Sequence, residues 1–108
     1  MLEGLRELQQ EGEPDILSEL IALFLEGTLL QFAALREALK NEDAQSVERI
    51  AHTLKGSCGN MGALRMATLC AELQEAGSSG DLALALGLLY QLETEFERVR
   101  TALAAILP

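Results

Sequence analysis

The chain has 108 residues, enough for one small domain with a core of its own. Hydrophobic residues make up 49% of it and aromatic residues only 4%, a balance typical of close-packed aliphatic helices. The formal net charge of −9 excludes nucleic acid as an expected partner, because phosphate backbones repel an acidic surface. Uninterrupted apolar runs stay below the roughly 20 residues of a membrane span, and the acidic N-terminus lacks the features of a signal peptide. We therefore expect a cytoplasmic protein without membrane contact, with a single domain over residues 1–108.

The first part of the chain predicts a short helix followed by a long one. An amphipathic segment from Leu2 to Gln10 precedes a polar break over residues 11–14. The long helix begins near Pro14, because proline and acidic residues suit a first helical turn, and it continues to residue 40. Gly27 and Thr28 lie midway along it, and we predict a kink there rather than a break.

The next helix carries the only histidine of the chain. Residues 41–43 form a turn, and Asp43 is placed to cap the helix that follows. In a helical projection, one side of this helix is an apolar stripe that consists of Val47, Ile50, Ala51, Leu54, Cys58 and Met61. The opposite side carries Gln45, Glu48, His52, Lys55, Gly56 and Gly59. His52 and Cys58 therefore project to different sides, which disfavours a metal site made from the histidine and the two cysteines.

Two glycines on the outward side of this helix call for an explanation. A glycine inside a helix costs about 1 kcal/mol relative to alanine. Without a Cβ at Gly56 and Gly59, another protein's surface can come close to the His52 imidazole. Helix termination is the competing interpretation for both glycines, and it suits Gly59 better, because residues 60–62 close the helix.

Two more helices complete the predicted fold. The third runs from Ala63 to about Ala76 and buries Met66, Leu69, Cys70 and Leu73. Residues 77–80, Gly-Ser-Ser-Gly, predict a turn. The last helix runs from Asp81 to about Leu107 with the alternating spacing of an antiparallel bundle seam. The sequence thus predicts an all-α, up-down antiparallel four-helix bundle with a short extra N-terminal helix.

The segment Ala51-His52-Thr53-Leu54-Lys55-Gly56-Ser57 resembles the histidine-containing phosphotransfer (HPt) domains of two-component phosphorelays. The family pattern is A-H-x-L-K-G-[SA]-[SA]-x-x-[LM]-G, with Met61 and Gly62 matching its end and Cys58 replacing the usual Ala or Ser. The resemblance covers residues 15 to about 105, although only residues 51–74 are specific. It implies a phosphorelay protein that carries a phosphoryl group on His52 between aspartates of receiver domains, without kinase activity of its own.

The same resemblance implies roles for the neighbouring side chains. Lys55 would place an ammonium beside the phosphoryl oxygens, and Ser57 or the Gln74 amide would donate a hydrogen bond. The receiver domain of a response regulator or hybrid histidine kinase would bring the aspartate and the Mg²⁺. We therefore expect this chain to bind no metal or cofactor itself and to be a monomer.

Receiver docking is expected around His52, on the helices at 15–40 and 43–59. Helix 15–26 holds more large apolar residues than one buried stripe needs, so one or two of Ile16, Leu17 and Ile21 are predicted to stay exposed. The alternative is that the segment 1–10 covers all three. Glu48 and Arg49 are the polar docking candidates on the histidine helix.

Two other functions stay open on the sequence alone. The first is the phosphoacceptor domain of a chemotaxis-type histidine kinase, phosphorylated by a kinase domain in trans. Such domains usually pair the histidine with an acidic residue, a role that Glu48 or Glu72 could fill. The second is a non-catalytic bundle that only binds a receiver or another helical partner, and it predicts that His52→Gln leaves function intact.

Overall fold

Four α-helices account for nearly all of residues 14–106, the part of the chain that the computed structural model describes. They are α1 (Pro14–Lys40), α2 (Ala44–Asn60), α3 (Leu64–Ser79) and α4 (Leu82–Ala104), and no strand occurs in this range. The packed pairs are α1 with α2, α2 with α3, α3 with α4, and α4 with α1. Short connections make consecutive helices antiparallel, so α2 and α4 lie diagonally across the bundle. The predicted all-α four-helix bundle is confirmed, and the predicted helix over residues 2–10 lies outside the described residues.

The long helix α1 continues without a break through Gly27 and Thr28. Thr28 is buried, and its hydroxyl donates a 2.7 Å hydrogen bond to the Phe24 carbonyl oxygen one turn earlier. Among residues 16–106, Thr28 is the one buried polar side chain, and this bond satisfies it within its own helix. Thr side chains that donate a hydrogen bond to a carbonyl one turn earlier often bend helices. The kink predicted at this point stays a prediction.

By length and composition alone, α1 is long and apolar enough to cross a membrane. Glu19 and Glu26 divide its apolar runs, which is why no uninterrupted span is visible in the sequence. The core helix of a soluble protein passes the same test, and one face of α1 is buried in the bundle through Leu17, Ile21, Phe24, Phe32 and Leu35. The apolar character of α1 is therefore only a weak indication of membrane contact.

The ends of α2 follow the predicted signals. The Asp43 carboxylate accepts a 3.1 Å hydrogen bond from the Ser46 backbone N–H, which confirms Asp43 as the N-cap. Hydrogen bonds from the Ser46 hydroxyl and backbone hold the pKa of Asp43 below its ordinary value of 3.8. At the other end, Gly62 adopts a φ of 76°, which a residue with a Cβ rarely adopts.

The boundary between α3 and α4 corrects the predicted turn over residues 77–80. α3 continues to Ser79, and the chain leaves it at Gly80, whose φ is 78°. Gly77 is a buried helical residue, and a Cβ added there would lie 2.7 Å from the Glu48 backbone nitrogen. Gly77 thus allows close approach of α2 and α3 and does not end a helix. α4 begins after the Asp81 cap and ends at Ala104, three residues before the predicted end.

The core lies where the apolar spacing placed it. The four predicted core residues of α3 are buried, and the predicted seam of α4 is buried or packed against the core. Phe32 and Phe96 meet edge to face with ring centroids 5.3 Å apart, and Arg36 pairs with Glu93 across α1 and α4. Cys58 and Cys70 are free and buried. Hydrogen bonding to Cys58 and burial raise the pKa of the Cys70 thiol. Both cysteines fill the core as small apolar side chains.

Candidate functional site

His52 lies in the middle of α2 with its side chain exposed to solvent. Glu48, one turn earlier, and Lys55, one turn later, are half-buried on the same side of the helix. The opposite side of α2 is fully buried through Val47, Ala51, Leu54 and Cys58. Because α2 cannot rotate without exposing that apolar stripe, the core packing holds the imidazole outward, as the sequence predicted.

Lys55 and Gln74 line one groove between α2 and α3, with a volume of about 280 Å³. The groove is completed by Glu48, Ala71, Glu75 and Ser78. Lys55 supplies an ammonium and Gln74 an amide, so two hydrogen-bond donors meet there, beside the helix face that carries His52. The tertiary structure therefore brings Gln74 to Lys55, although 18 intervening residues separate them in the chain.

Gly56 and Gly59 have open space where a side chain would lie. A Cβ built on either residue meets no other atom within 4 Å, so packing inside the chain does not require glycine at these positions. The Gly59 carbonyl accepts a 3.1 Å hydrogen bond from the Gly62 N–H at the end of α2, which fits the helix-termination interpretation for Gly59. Gly56 has no such explanation, and clearance for a partner remains the reason for it.

Ser57 makes a different contact from the one expected. Its hydroxyl donates a 3.5 Å hydrogen bond to the Thr53 carbonyl oxygen within α2. Ser57 is exposed and does not line the groove that holds Lys55 and Gln74. Of the two predicted donors, Gln74 is the one placed beside Lys55.

The predicted apolar docking residues are largely wrong. Leu17 and Ile21 are each only 1% exposed and belong to the core, and Ile16 is half-buried. The expectation failed because two apolar stripes run along α1, and spacing alone does not say which one faces the bundle. On α2, Arg49 is exposed and Glu48 half-buried, so both remain available to a partner.

The exposed stripe of α1 is the feature that the sequence analysis missed. Leu23 and Leu30 are 66% and 73% exposed, and Leu20 lies at the same helical spacing. Ala34 continues this stripe and lines a groove of about 250 Å³ with Arg49 and Ile50 of α2. The sequence indicates this stripe by the alternating spacing of four and three residues between positions 16, 20, 23, 27, 30 and 34.

The family model described as Hpt domain matches residues 19–102. The match includes all of α2 and α3 and most of α1 and α4, so the chain belongs to the Hpt domain family. Membership agrees with the exposed histidine of α2 and with the four-helix bundle.

Curated relatives and a solved structure bear names of the same kind. The chain is 31% identical over 102 residues to histidine-containing phosphotransfer protein 2 of Arabidopsis thaliana, and 30% identical to histidine-containing phosphotransfer protein 5 of that plant. Each match covers 92% of this chain and 65% of the relative, so the chain spans less than two thirds of these relatives' length. The crystal structure of histidine-containing phosphotransfer protein B (HptB) from Pseudomonas aeruginosa PAO1 superposes with a TM-score of 0.84 at 35% identity. That superposition covers 94% of this chain and 87% of HptB. All three proteins are named as histidine-containing phosphotransfer proteins.

Proposed function

We propose that the chain is a phosphoryl carrier that receives and donates a phosphoryl group at His52. The observation that carries the proposal is the position of this single histidine, exposed at the centre of α2 between Lys55 and an unobstructed Gly56. Family membership supports the same role. The direction of transfer depends on which receiver is phosphorylated, because the carrier step is reversible.

The chemistry needs one nucleophile from this chain. A neutral imidazole nitrogen attacks the phosphorus of an aspartyl phosphate, a P–N bond forms, and the P–O bond to the aspartate breaks as the carboxylate leaves. The reverse attack by a carboxylate on phosphohistidine passes the group on. Such transfer depends mainly on positioning and on stabilising the equatorial oxygens of the phosphoryl group.

Lys55 and Gln74 are proposed to stabilise those oxygens from the α2–α3 groove. Lys55 supplies a mobile positive charge one turn from His52, and Gln74 supplies an amide donor from α3. Glu48 lines the same groove. Its negative charge repels other anions, so it weakens their binding in the groove before the phosphoryl group is transferred.

The remaining catalytic groups are proposed to come from the receiver domain. We infer that the receiver contributes the aspartate and the Mg²⁺, so this chain acts without kinase activity of its own. Within the described residues no group of three or more His, Cys, Asp or Glu side chains could hold a metal ion. A cytoplasmic, monomeric carrier is part of the same proposal.

The receiver is proposed to dock on the exposed α1 stripe as well as on α2. Leu23 and Leu30 present apolar area there, and the Ala34–Arg49 groove connects the stripe to α2. Exposed leucines next to a polar helix face are typical of protein-binding surfaces. Arg49 and Glu48 then contribute charge at the border of the contact.

The test is phosphoryl transfer from an aspartyl-phosphorylated receiver domain in Mg²⁺, followed by intact mass. Wild type is expected to gain an acid-labile, base-stable phosphoryl group, and His52→Gln none. Lys55→Gln is expected to slow transfer, whereas Lys40→Gln, which changes the only other lysine of the chain, leaves it unchanged. A second arm supplies a kinase domain and ATP. Labelling in that arm alone would replace the proposal with a chemotaxis-type phosphoacceptor, and no labelling in either arm would leave a binding bundle.

A further inference from the structure

The first half of α4 is uncharged on every side. Residues 82–92 include no Asp, Glu, Lys or Arg, yet six of these eleven residues are exposed. Residues 93–100, the next part of the same helix, contain five charged side chains. A helix that is apolar all round is normally covered, either inside a domain or by a partner. The first half of α4 therefore presents more apolar surface than this bundle uses.

The exposed apolar residues lie around the outward side of α4, with Leu84 and Leu86 at opposite borders of it and a groove beside Leu84. Leu84 and Leu86 are 51% and 45% exposed, and Tyr90 is 64% exposed one turn beyond Leu86. Leu84 also lines a groove of about 260 Å³ between α3 and α4, with Leu88 and Ala76. We call Leu84, Leu86, Tyr90 and this groove the α4 surface. Its shape, an apolar groove between two helices, suits an inserted helix.

The α4 surface borders the phosphotransfer site at one residue. Glu75 lines the α3–α4 groove and also the α2–α3 groove that holds Lys55 and Gln74. α2 and α4 lie diagonally across the bundle, so the outward side of α4 is opposite the outward side of α2 that carries His52. A molecule bound to the α4 surface therefore leaves His52 exposed.

The groove of the α4 surface is acidic, whereas Tyr90 lies beside Arg65 and Arg98 in a second groove. Glu72 and Glu75 line the groove, and Asp81, exposed, precedes the first turn of α4. Among the described residues that line this groove, none is Lys or Arg. A second copy of the chain would bring the same carboxylates face to face, and an anionic lipid surface would meet them with like charge.

We propose that the α4 surface docks an amphipathic helix of a partner protein, with leucine-type side chains on one face and lysine or arginine beside them. The apolar face fills the groove against Leu84 and Leu88, and the basic residues meet Glu72 and Glu75. Such a contact holds the phosphoryl carrier near a partner while its histidine side stays free to exchange the phosphoryl group.

The experiment uses Tyr90 as a built-in probe. Tyr90 is the only tyrosine of the chain, which has no tryptophan, so intrinsic fluorescence reports on the α4 surface. The titrant is an 18-residue synthetic helix with leucines at i, i+3, i+4 and i+7 spacing, flanking lysines and no aromatic residue. Saturable change in Tyr90 fluorescence is expected for the wild type. The Leu84→Ser/Leu86→Ser variant is expected to bind at least tenfold more weakly.

Matched controls distinguish this contact from nonspecific hydrophobic binding of the peptide. Leu23→Ser/Leu30→Ser removes two exposed leucines from α1, and it is expected to bind the peptide like the wild type. A peptide with glutamate in place of lysine is expected not to bind, and Glu72→Gln/Glu75→Gln to weaken binding of the lysine peptide. The proposal is overturned if the α1 variant loses binding while the α4 variant keeps it, or if both peptides bind alike.

Two further measurements test the other occupants. Sedimentation of the chain alone is expected to show no dimer that depends on Leu84 and Leu86, and phosphatidylserine vesicles are expected not to retain it. A dimer that depends on Leu84 and Leu86 would assign the α4 surface to a second copy of the chain, and retention by the vesicles would assign it to a membrane. Either result would refute the proposal. Phosphoryl transfer to Leu84→Ser/Leu86→Ser is expected at the wild-type rate, and a loss there would place the receiver on α4. The failure of peptide binding would leave the His52 transfer assay unaffected.

Discussion

The clearance beside His52 can be tested by adding a single methyl group at Gly56. Gly56 is exposed in the interior of α2, one turn after the histidine, and a Cβ there meets nothing within 4 Å. Gly56→Ala should therefore fit the free protein without strain. The same methyl group lies in the path of a receiver that approaches the imidazole closely, so stability and transfer are expected to change in opposite directions.

The expected change in stability follows from helix propensity, and the expected change in transfer rate follows from crowding at the contact with the receiver. Replacing a helix-interior glycine by alanine stabilises the fold by about 1 kcal/mol, which corresponds to a Tm increase of roughly 4–8 °C for a domain of this size. Inserting a methyl group into a well-packed contact costs roughly 1–3 kcal/mol. If the receiver packs against Gly56, transfer is expected to fall by about 5- to 150-fold.

Thermal unfolding and receiver-to-His52 transfer should be measured on the same preparations. Gly87→Ala is the matched control, because Gly87 is also an exposed helical residue whose Cβ would meet nothing within 4 Å, and it lies on α4. It is expected to raise the Tm equally and to leave transfer unchanged. A Gly56→Ala protein that is stabilised and still transfers at the wild-type rate would refute the clearance argument.

Three further predictions concern stability and are read by denaturant or thermal unfolding. Gly77→Ala is expected to destabilise relative to Gly87→Ala by about 1–3 kcal/mol, since its Cβ would lie 2.7 Å from the Glu48 backbone nitrogen; equal stability of the two variants would contradict the close approach of α2 and α3. Asp43→Ala is expected to destabilise the protein at neutral pH through loss of the α2 N-cap. Because the folded-state pKa of Asp43 lies below its ordinary value of 3.8, this difference should be complete above that value and shrink as the pH falls through the folded-state pKa; a difference that is constant with pH would argue against the ionised cap. Phe96→Ala is expected to cost about 3–5 kcal/mol, because the 2%-exposed ring packs on Phe32, and a loss below 1 kcal/mol would contradict its central place in the core.

Much of the site could be predicted from the sequence because it is built within one helix. The relative directions of His52, Lys55 and Gly56 depend only on the helical repeat of about 3.6 residues per turn. The apolar stripe on the other side of α2 then decides which direction is outward. The N-cap at Asp43 is equally local, since a carboxylate three residues before the Ser46 N–H needs no other part of the chain.

Predictions failed where two elements have to meet. The buried residues Leu17 and Ile21 were expected at the receiver contact, since both stripes of α1 are apolar and only packing selects the inner one. Gly77 was assigned to a turn because Gly-Ser-Ser-Gly has the composition of one, whereas the nearby α2 backbone explains the glycine. In each case the local signal was real, and the neighbouring helix determined its meaning.

The sequence by itself determined the helical class of this protein, its buried stripes and its outward histidine, because periodicity and capping act within a few residues of one another. Only the tertiary structure placed Gln74 beside Lys55, turned the Leu23 and Leu30 stripe to solvent and put the α4 surface opposite His52. Those arrangements join residues that are far apart in the chain, and the packing of one helix against another decides them. The free energy of such packing depends on how both surfaces fit together, which no single segment encodes.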